Sequence, residues 1–191
     1  MTPPTIVPYK TGWIEVICGS MFSGKTEELI RRLRRAQIAK QQVEILKPLI
    51  DNRYSEDYVV SHNSQRIASH SLETAAEILD WAKEAQVIGI DEAQFFDDEI
   101  IEVVQQLANE GKRVIVAGLD TDYRALPFGP MPQLLSVAEY ITKTLAICMQ
   151  CGNPASFTQR LTDAKEQVVV GASDVYEARC RRCYEPPTDG S

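Results

Sequence analysis

"GSMFSGKT", residues 19–26, follows directly on the apolar run "WIEVIC" at 13–18 and leads into "EELIRRLRRAQI" at 27–38. The octet meets the pattern G-x-x-x-x-G-K-[ST] at each fixed position, with Gly19, Gly24, Lys25 and Thr26. Glycines allow successive backbone N–H groups to turn inward and approach an anion closely. The helix that follows offers its positive dipole end to the same anion. In such a loop Gly19, Ser20, Met21, Phe22, Ser23 and Gly24 surround the phosphates of ATP. Lys25 reaches the β- and γ-phosphates, and the Thr26 hydroxyl ligates Mg²⁺. A chance glycine turn is the competing reading. The motif's required context argues against it, because a strand-like run precedes the loop and a helical pattern follows over 24–40. On that helix Leu29, Ile30, Leu33 and Ala36 share one face at the spacing of a buried stripe.

The pattern continues outward from the loop. "VEILKP" at 43–48 reads as a strand, and a polar stretch over 50–71 without a clear period reads as a long loop. Residues 73–85 read as an amphipathic helix. "VIGID" at 87–91 and "RVIVAGLD" at 113–120 read as strands buried on both faces, with a helix over 98–109 between them. Strands separated by helices imply a parallel sheet with right-handed crossovers. The expected fold class is α/β, a parallel sheet flanked by helices around a phosphate loop, with a small zinc-ribbon-like C-terminal domain. The expected division is a tail at 1–12, an ATP-binding domain at 13–144, a zinc-binding domain at 145–184 and a tail at 185–191. A chain of 191 residues has room for one α/β domain and such an appendage.

Composition narrows the class. At 44% hydrophobic and 25% charged, with no apolar run near 20 residues, the chain does not read as a membrane protein. "MTPPTIVPYKTG" lacks the basic and apolar regions of a signal peptide, so the expected location is cytoplasmic. A net charge of −7 argues against a nucleic-acid partner, whose affinity rests on neutralised phosphates. The basic run "RRLRR" at 31–35 reads as a solvated helix face flanking the apolar stripe, placed toward the end of the helix that favours positive charge.

A phosphate loop needs a second carboxylate for its metal, and "VIGIDEAQFF" supplies one at the end of a buried strand. Asp91 is expected to hold Mg²⁺ through water. Glu92 falls beside the γ-phosphate as a general base, the alternative being a solvated acid at a helix start. Ala93 and Gln94 complete the segment assigned to the ATP site. An ATPase would use Glu92 on water and a kinase on a substrate hydroxyl, and the motif itself leaves both open. N-K-x-D is absent from the sequence, which disfavours a GTPase switch. The length favours a small-molecule kinase over a mechanical ATPase.

Cys148, Cys151, Cys180 and Cys183 form two C-x2-C pairs. Two such knuckles suit a tetrahedral structural Zn²⁺, and a cytoplasmic setting disfavours disulfides. Cys18, in the first strand, reads as a small buried residue. His62 and His70 lack metal-ligand spacing to another ligand and read as surface residues.

Together "GSMFSGKT", "KPLIDNRYS", "VIGIDEAQFF", "GLDTDYRALPFGP", "TLAICMQCGNPASFTQR" and "VVVGASDVYEARCRRC" run in order over 12–183, and the chain resembles the zinc-containing thymidine kinases of bacteria and the animal cytosol. The resemblance implies transfer of the ATP γ-phosphate to the 5′-hydroxyl of thymidine or deoxyuridine, with Glu92 taking the 5′-OH proton. It places Arg160 and Arg53 near the reacting phosphate and Asp51 in the same loop as Arg53. It places Met21, Leu119, Phe95, Phe128 and Thr158 around the base. It makes Val168, Val169, Val170, Gly171, Ala172, Ser173 and Tyr176 part of a lasso loop whose backbone pairs with the pyrimidine edge, with Tyr176 by the sugar. A homotetramer and feedback inhibition by dTTP are implied on the same footing.

Overall fold

Four runs that alternate between two buried faces build the centre of the molecule. The computed structural model describes residues 11–49, 58–60, 66–164, 166–167 and 174–187. In chain order these give β1 (Trp13–Cys18), α1 (Lys25–Ile38), β2 (Val43–Pro48), β3 (Tyr58–Val60), β4 (Arg66–Ala68) and β5 (His70–Leu72). There follow α2 (Ile78–Trp81), β6 (Val87–Ile90), α3 (Ile100–Asn109), β7 (Arg113–Gly118), α4 (Met131–Val137) and β8 (Tyr140–Lys143). Six strands form one sheet in the order β5-β2-β6-β7-β1-β8, and its pairings are parallel.

Successive strand residues point to opposite faces, and here both faces are covered. Ile14, Val16, Ile88, Ile90, Val114 and Val116 pack on one side with Ile100, Val103, Val104 and Leu107 of α3 and with Met131 and Leu134 of α4. Ile17, Ile45, Val87, Ile115 and Ala117 pack on the other against Leu29, Ile30, Leu33 and Ala36 of α1. This double burial is why "VIGI" of β6 and "VIVAG" of β7 are unbroken apolar runs.

Two elements depart from the expectations. Helix α2 spans only Ile78–Trp81, where the sequence predicts a helix over 73–85. The Glu77 carboxylate accepts from the N–H groups of Glu73 and Thr74 and from the Thr74 hydroxyl, and the Ala75 N–H goes to Asp97. Those local bonds hold the first residues in a turn rather than a helix. The 50–71 stretch is not a plain loop either, because β3 and β4 pair as an antiparallel hairpin and β5 joins the sheet edge beside β2.

Past the sheet lies a second, smaller cluster. Strands β9 (Ala146–Ile147) and β10 (Pro154–Ala155) pair antiparallel, as do β11 (Phe157–Arg160) and β12 (Tyr176–Arg179). Ala146, Cys148, Ala155, Ala178 and Cys180 are its buried centre, and Phe22 from the 19–26 loop packs against it. No helix among the described residues is long and apolar enough to cross a membrane.

Candidate active site

The 19–26 loop leaves the carboxyl end of β1, next to the ends of β7 and β8. Gly19 has φ 141°, and a Cβ there would lie 2.3 Å from the Thr144 carbonyl oxygen, so this position requires glycine. Gly24 starts α1 in the left-handed conformation at φ 83°. The Ser23 and Thr144 hydroxyls lie 2.8 Å apart, and Thr144 Oγ1 donates to the Cys18 carbonyl at 3.0 Å, fastening the loop to the chain just after β8.

Lys25 is buried, and its Nζ donates to the Ser20 carbonyl oxygen at 2.8 Å. Burial lowers its pKa, while the charges of Glu92, Asp91 and Asp120 oppose that shift. Thr26 Oγ1 donates to Asp91 Oδ2 at 3.2 Å, so the two side chains expected at Mg²⁺ come together. A hydroxyl and a carboxylate at a helix start are the hard oxygen donors that this ion takes. Burial, then the neighbouring Glu92 charge, pushes the Asp91 carboxyl up to about 7. An acid in that position gains from a cation beside it.

Glu92 follows in the left-handed region, at φ 52°, a conformation that costs a non-glycine residue about 1 kcal/mol or more. The turn Ala93–Phe95 aims Gln94 back at it. Gln94 Nε2 donates to Glu92 Oε2 at 2.5 Å, and Gln94 Oε1 accepts from the Leu119 N–H at 3.0 Å. One amide thereby ties the candidate base to the end of β7. Asp120, next along, is ion-paired with Lys143 at 2.5 Å.

On the expected nucleoside side, Phe95 and Phe128 meet edge to face with ring centroids 5.4 Å apart. The Met21 N–H donates to Thr158 Oγ1 at 3.1 Å, which joins the 19–26 loop to β11. Thr158, Arg160, Tyr176 and Ala178 are the buried residues of the β11–β12 ladder. Among the described residues, no hydrogen bond joins the Arg160 side chain to the 19–26 loop. Its guanidinium donates to the carbonyls of Ala164, Glu166 and Gln167 and to the Tyr176 hydroxyl, and it lies 3.5 Å over the Tyr123 ring. Arg53, Asp51, His62 and the lasso residues Val168, Val169, Val170, Gly171, Ala172 and Ser173 lie outside the described residues.

The thiols of Cys148, Cys151, Cys180 and Cys183 all lie within 4.8 Å of one another. A zinc ion with ligands at roughly 2.3 Å in a tetrahedron sets sulfur atoms about 3.8 Å apart, so the four thiols fit it. All five cysteines are free, and Cys18 is buried in the sheet as expected. His70 stacks on Trp81 at 3.6 Å and lies 3.5 Å from Glu44.

Three residues that hold this site together are missed by sequence reasoning: Thr144, Asp122 and Tyr123. Asp122 and Tyr123 stand inside "GLDTDYRALPFGP", yet no spacing rule marks them, because the partners that join them to β11, β12 and the chain beyond, Arg160, Gln167 and Tyr184, come from far along the chain.

A family model for thymidine kinase matches residues 12–184. A protein of Rhodothermus sp. (strain ITI 518) named thymidine kinase is 64% identical over 176 residues, which covers 92% of this chain and 83% of the relative.

Proposed function

The chain belongs to the thymidine kinase family, and we propose that it transfers the γ-phosphate of ATP to the 5′-hydroxyl of thymidine, with deoxyuridine as a second substrate. The observation that carries this reading is the contact between its two halves. The Met21 amide within "GSMFSGKT" is bonded to Thr158 of the cysteine-bearing module, so a nucleoside held by that module would lie against a bound triphosphate.

In this reading the backbone N–H groups of 19–24 and Lys25 hold the β- and γ-phosphates, and Lys25 exchanges its bond to Ser20 for phosphate oxygens. Glu92, held by Gln94, accepts the 5′-OH proton as the 5′-oxygen attacks the γ-phosphorus. The bond from that phosphorus to the β-bridging oxygen breaks, ADP leaves, and the proton passes from Glu92 to solvent. Thr26 and Asp91 would hold Mg²⁺, which neutralises charge on the β- and γ-oxygens. The four cysteines would hold a structural Zn²⁺ that takes no part in the transfer, because a closed set of four protein ligands leaves no open position. Leu119, Phe95, Phe128 and Tyr176 would surround base and sugar. Pyrimidine selectivity would follow because buried polar groups that pair with thymine are left unpaired by a purine. The same reading includes inhibition by dTTP, a homotetramer and a cytoplasmic location.

The test is incubation with ATP, Mg²⁺ and a panel of nucleosides, followed by chromatography for monophosphates. ADP and dTMP formed in equal amounts, only when thymidine or deoxyuridine is supplied, are expected. ADP released at the same rate without any nucleoside contradicts the proposal and points to an ATPase.

A further inference from the structure

Arg160 is a buried cation with an unusual set of partners. An arginine carries five N–H donors. The four on its terminal nitrogens are all committed, Nη1 to the carbonyls of Ala164 and Glu166, and Nη2 to the Gln167 carbonyl and the Tyr176 hydroxyl. The fifth, on Nε, is buried and has no hydrogen-bond partner among the described residues. None of the ion pairs among those residues includes Arg160. Its charge instead faces two aromatic rings, Tyr123 at 3.5 Å and Tyr176 at 5.3 Å, an arrangement that favours a desolvated guanidinium.

The position of these partners gives the arrangement its meaning. Arg160 and Tyr176 are register partners at the open end of the β11–β12 ladder, and the Leu161 N–H extends the pairing to the Val175 carbonyl at 2.8 Å. The chain departs from the ladder there and returns to it there. Arg160 ties Ala164, Glu166 and Gln167 on the outgoing limb to the returning strand at Tyr176. Through the Tyr123 ring it ties both to the segment between β7 and α4. Two further bonds run in parallel: Gln167 Nε2 to Asp122 Oδ2 at 3.2 Å, and Tyr184 Oη to the Tyr123 carbonyl at 2.7 Å. That segment begins at Leu119 and includes Phe128, both assigned to the base.

We infer that Arg160 is a positioning residue for nucleoside binding: it clamps the neck of the β11–β12 excursion onto the Leu119–Phe128 segment and does not contact the transferring phosphate. The inference rests on the thymidine kinase reading. The guanidinium has no terminal N–H left to offer a phosphate, and its fork suits several carbonyls at once, which the point charge of lysine does not.

The test uses full-length, zinc-loaded protein, with thymidine and ATP affinities from calorimetry and steady-state kinetics in both substrates. Arg160→Lys is expected to raise the thymidine KM and Kd on the order of tenfold, the scale of one lost charge-assisted bond. ATP affinity and kcat at saturating thymidine should stay within about threefold. Tyr123→Leu, which removes the ring under the guanidinium, should reproduce that pattern, and Tyr123→Phe should restore wild-type behaviour. A fall of about a hundredfold in kcat with unchanged thymidine KM in Arg160→Lys would put the guanidinium on the phosphate and overturn the inference. Tyr123→Leu behaving as wild type would also overturn it, as would loss of zinc and ATP binding together with thymidine binding in Arg160→Lys. Wild-type protein inert toward thymidine would defeat the proposed function itself, whereas active wild type with a kcat-only defect would defeat only this inference.

Discussion

The proposed base, Glu92, is the residue on which the local chemistry turns. It stands at the end of a buried strand in a left-handed conformation and receives a hydrogen bond from Gln94, a neighbour two residues along. Glu92→Gln keeps the side chain's size and an oxygen for Gln94, and removes only the capacity to take a proton. The expected outcome is loss of roughly 10²–10⁴-fold in kcat, with ATP and thymidine affinities measured by calorimetry essentially unchanged. Turnover near wild type would remove Glu92 from the role of base. The sequence makes Glu92 the candidate base, because an acid pair closing an unbroken apolar run has few other uses beside G-x-x-x-x-G-K-T. Its backbone conformation is not legible there, because nothing in "DEAQFF" distinguishes a left-handed glutamate from a first helical residue.

Elements show the same division between local and long-range information. β6 and β7 are legible because burial on both faces leaves "VIGI" and "VIVAG" continuously apolar, and β1 and β2 because each keeps apolar residues around one or two charged ones. The edge strands β5 and β8 are not, since a strand with one free edge tolerates polar residues, as in "HSL" and "YITK". The 73–85 segment misleads because its apolar residues do recur at helical spacing, and the competing bonds to Glu77 and Asp97 cannot be seen in a period. Three elements also share one charged node. Glu15 of β1 accepts from Arg32 of α1 at 2.7 Å, from Arg113 of β7 at 2.6 Å and from Trp13 at 2.8 Å. Burial raises its pKa, but the bonds from Arg113, Trp13 and Arg32 outweigh burial and leave it below the ordinary 4.5. A carboxyl depressed in the folded state stabilises above its unfolded pKa, and that contribution is lost as pH falls through the folded value. Glu15→Gln is therefore expected to lower stability at pH 7 by about 2 kcal/mol. Partial access of water to Arg32 and Arg113 places this under the full cost of a broken buried pair. In urea titrations the gap between wild type and variant should shrink as pH falls below 4.5. A gap that does not change with pH would show that the carboxylate charge is not what joins these strands and α1.

The whole molecule sets a sheet with its own two-sided core against a small module whose buried centre is mostly alanines and cysteines. The four-cysteine pattern and its pairing with the G-x-x-x-x-G-K-T motif are legible in the sequence. The seam between the halves is not, because it rests on scattered long-range contacts: Met21 to Thr158, Gln167 to Asp122, Tyr184 to the Tyr123 carbonyl, Arg160 over Tyr123, and Phe22 against the small cluster. The stretch between the cysteine pairs, 152–179, carries Thr158, Arg160 and Tyr176, and the buried apolar residues among its described residues are only Ala155, Tyr176 and Ala178, little to offset the entropy of ordering it. On the proposed function, pinning both its ends to one zinc ion would close it into a loop and lower the cost of ordering it around a nucleoside. On the proposed function, the sheet would hold ATP without that help. This division of labour is tested most directly by measuring zinc content, thymidine affinity and ATP affinity on one preparation, before and after chelation and in Cys151→Ser. Thymidine binding should be lost with the zinc, at least tenfold in affinity, while ATP binding survives in protein whose sheet remains folded by circular dichroism. Metal-free protein that binds thymidine as tightly as the zinc form would contradict it.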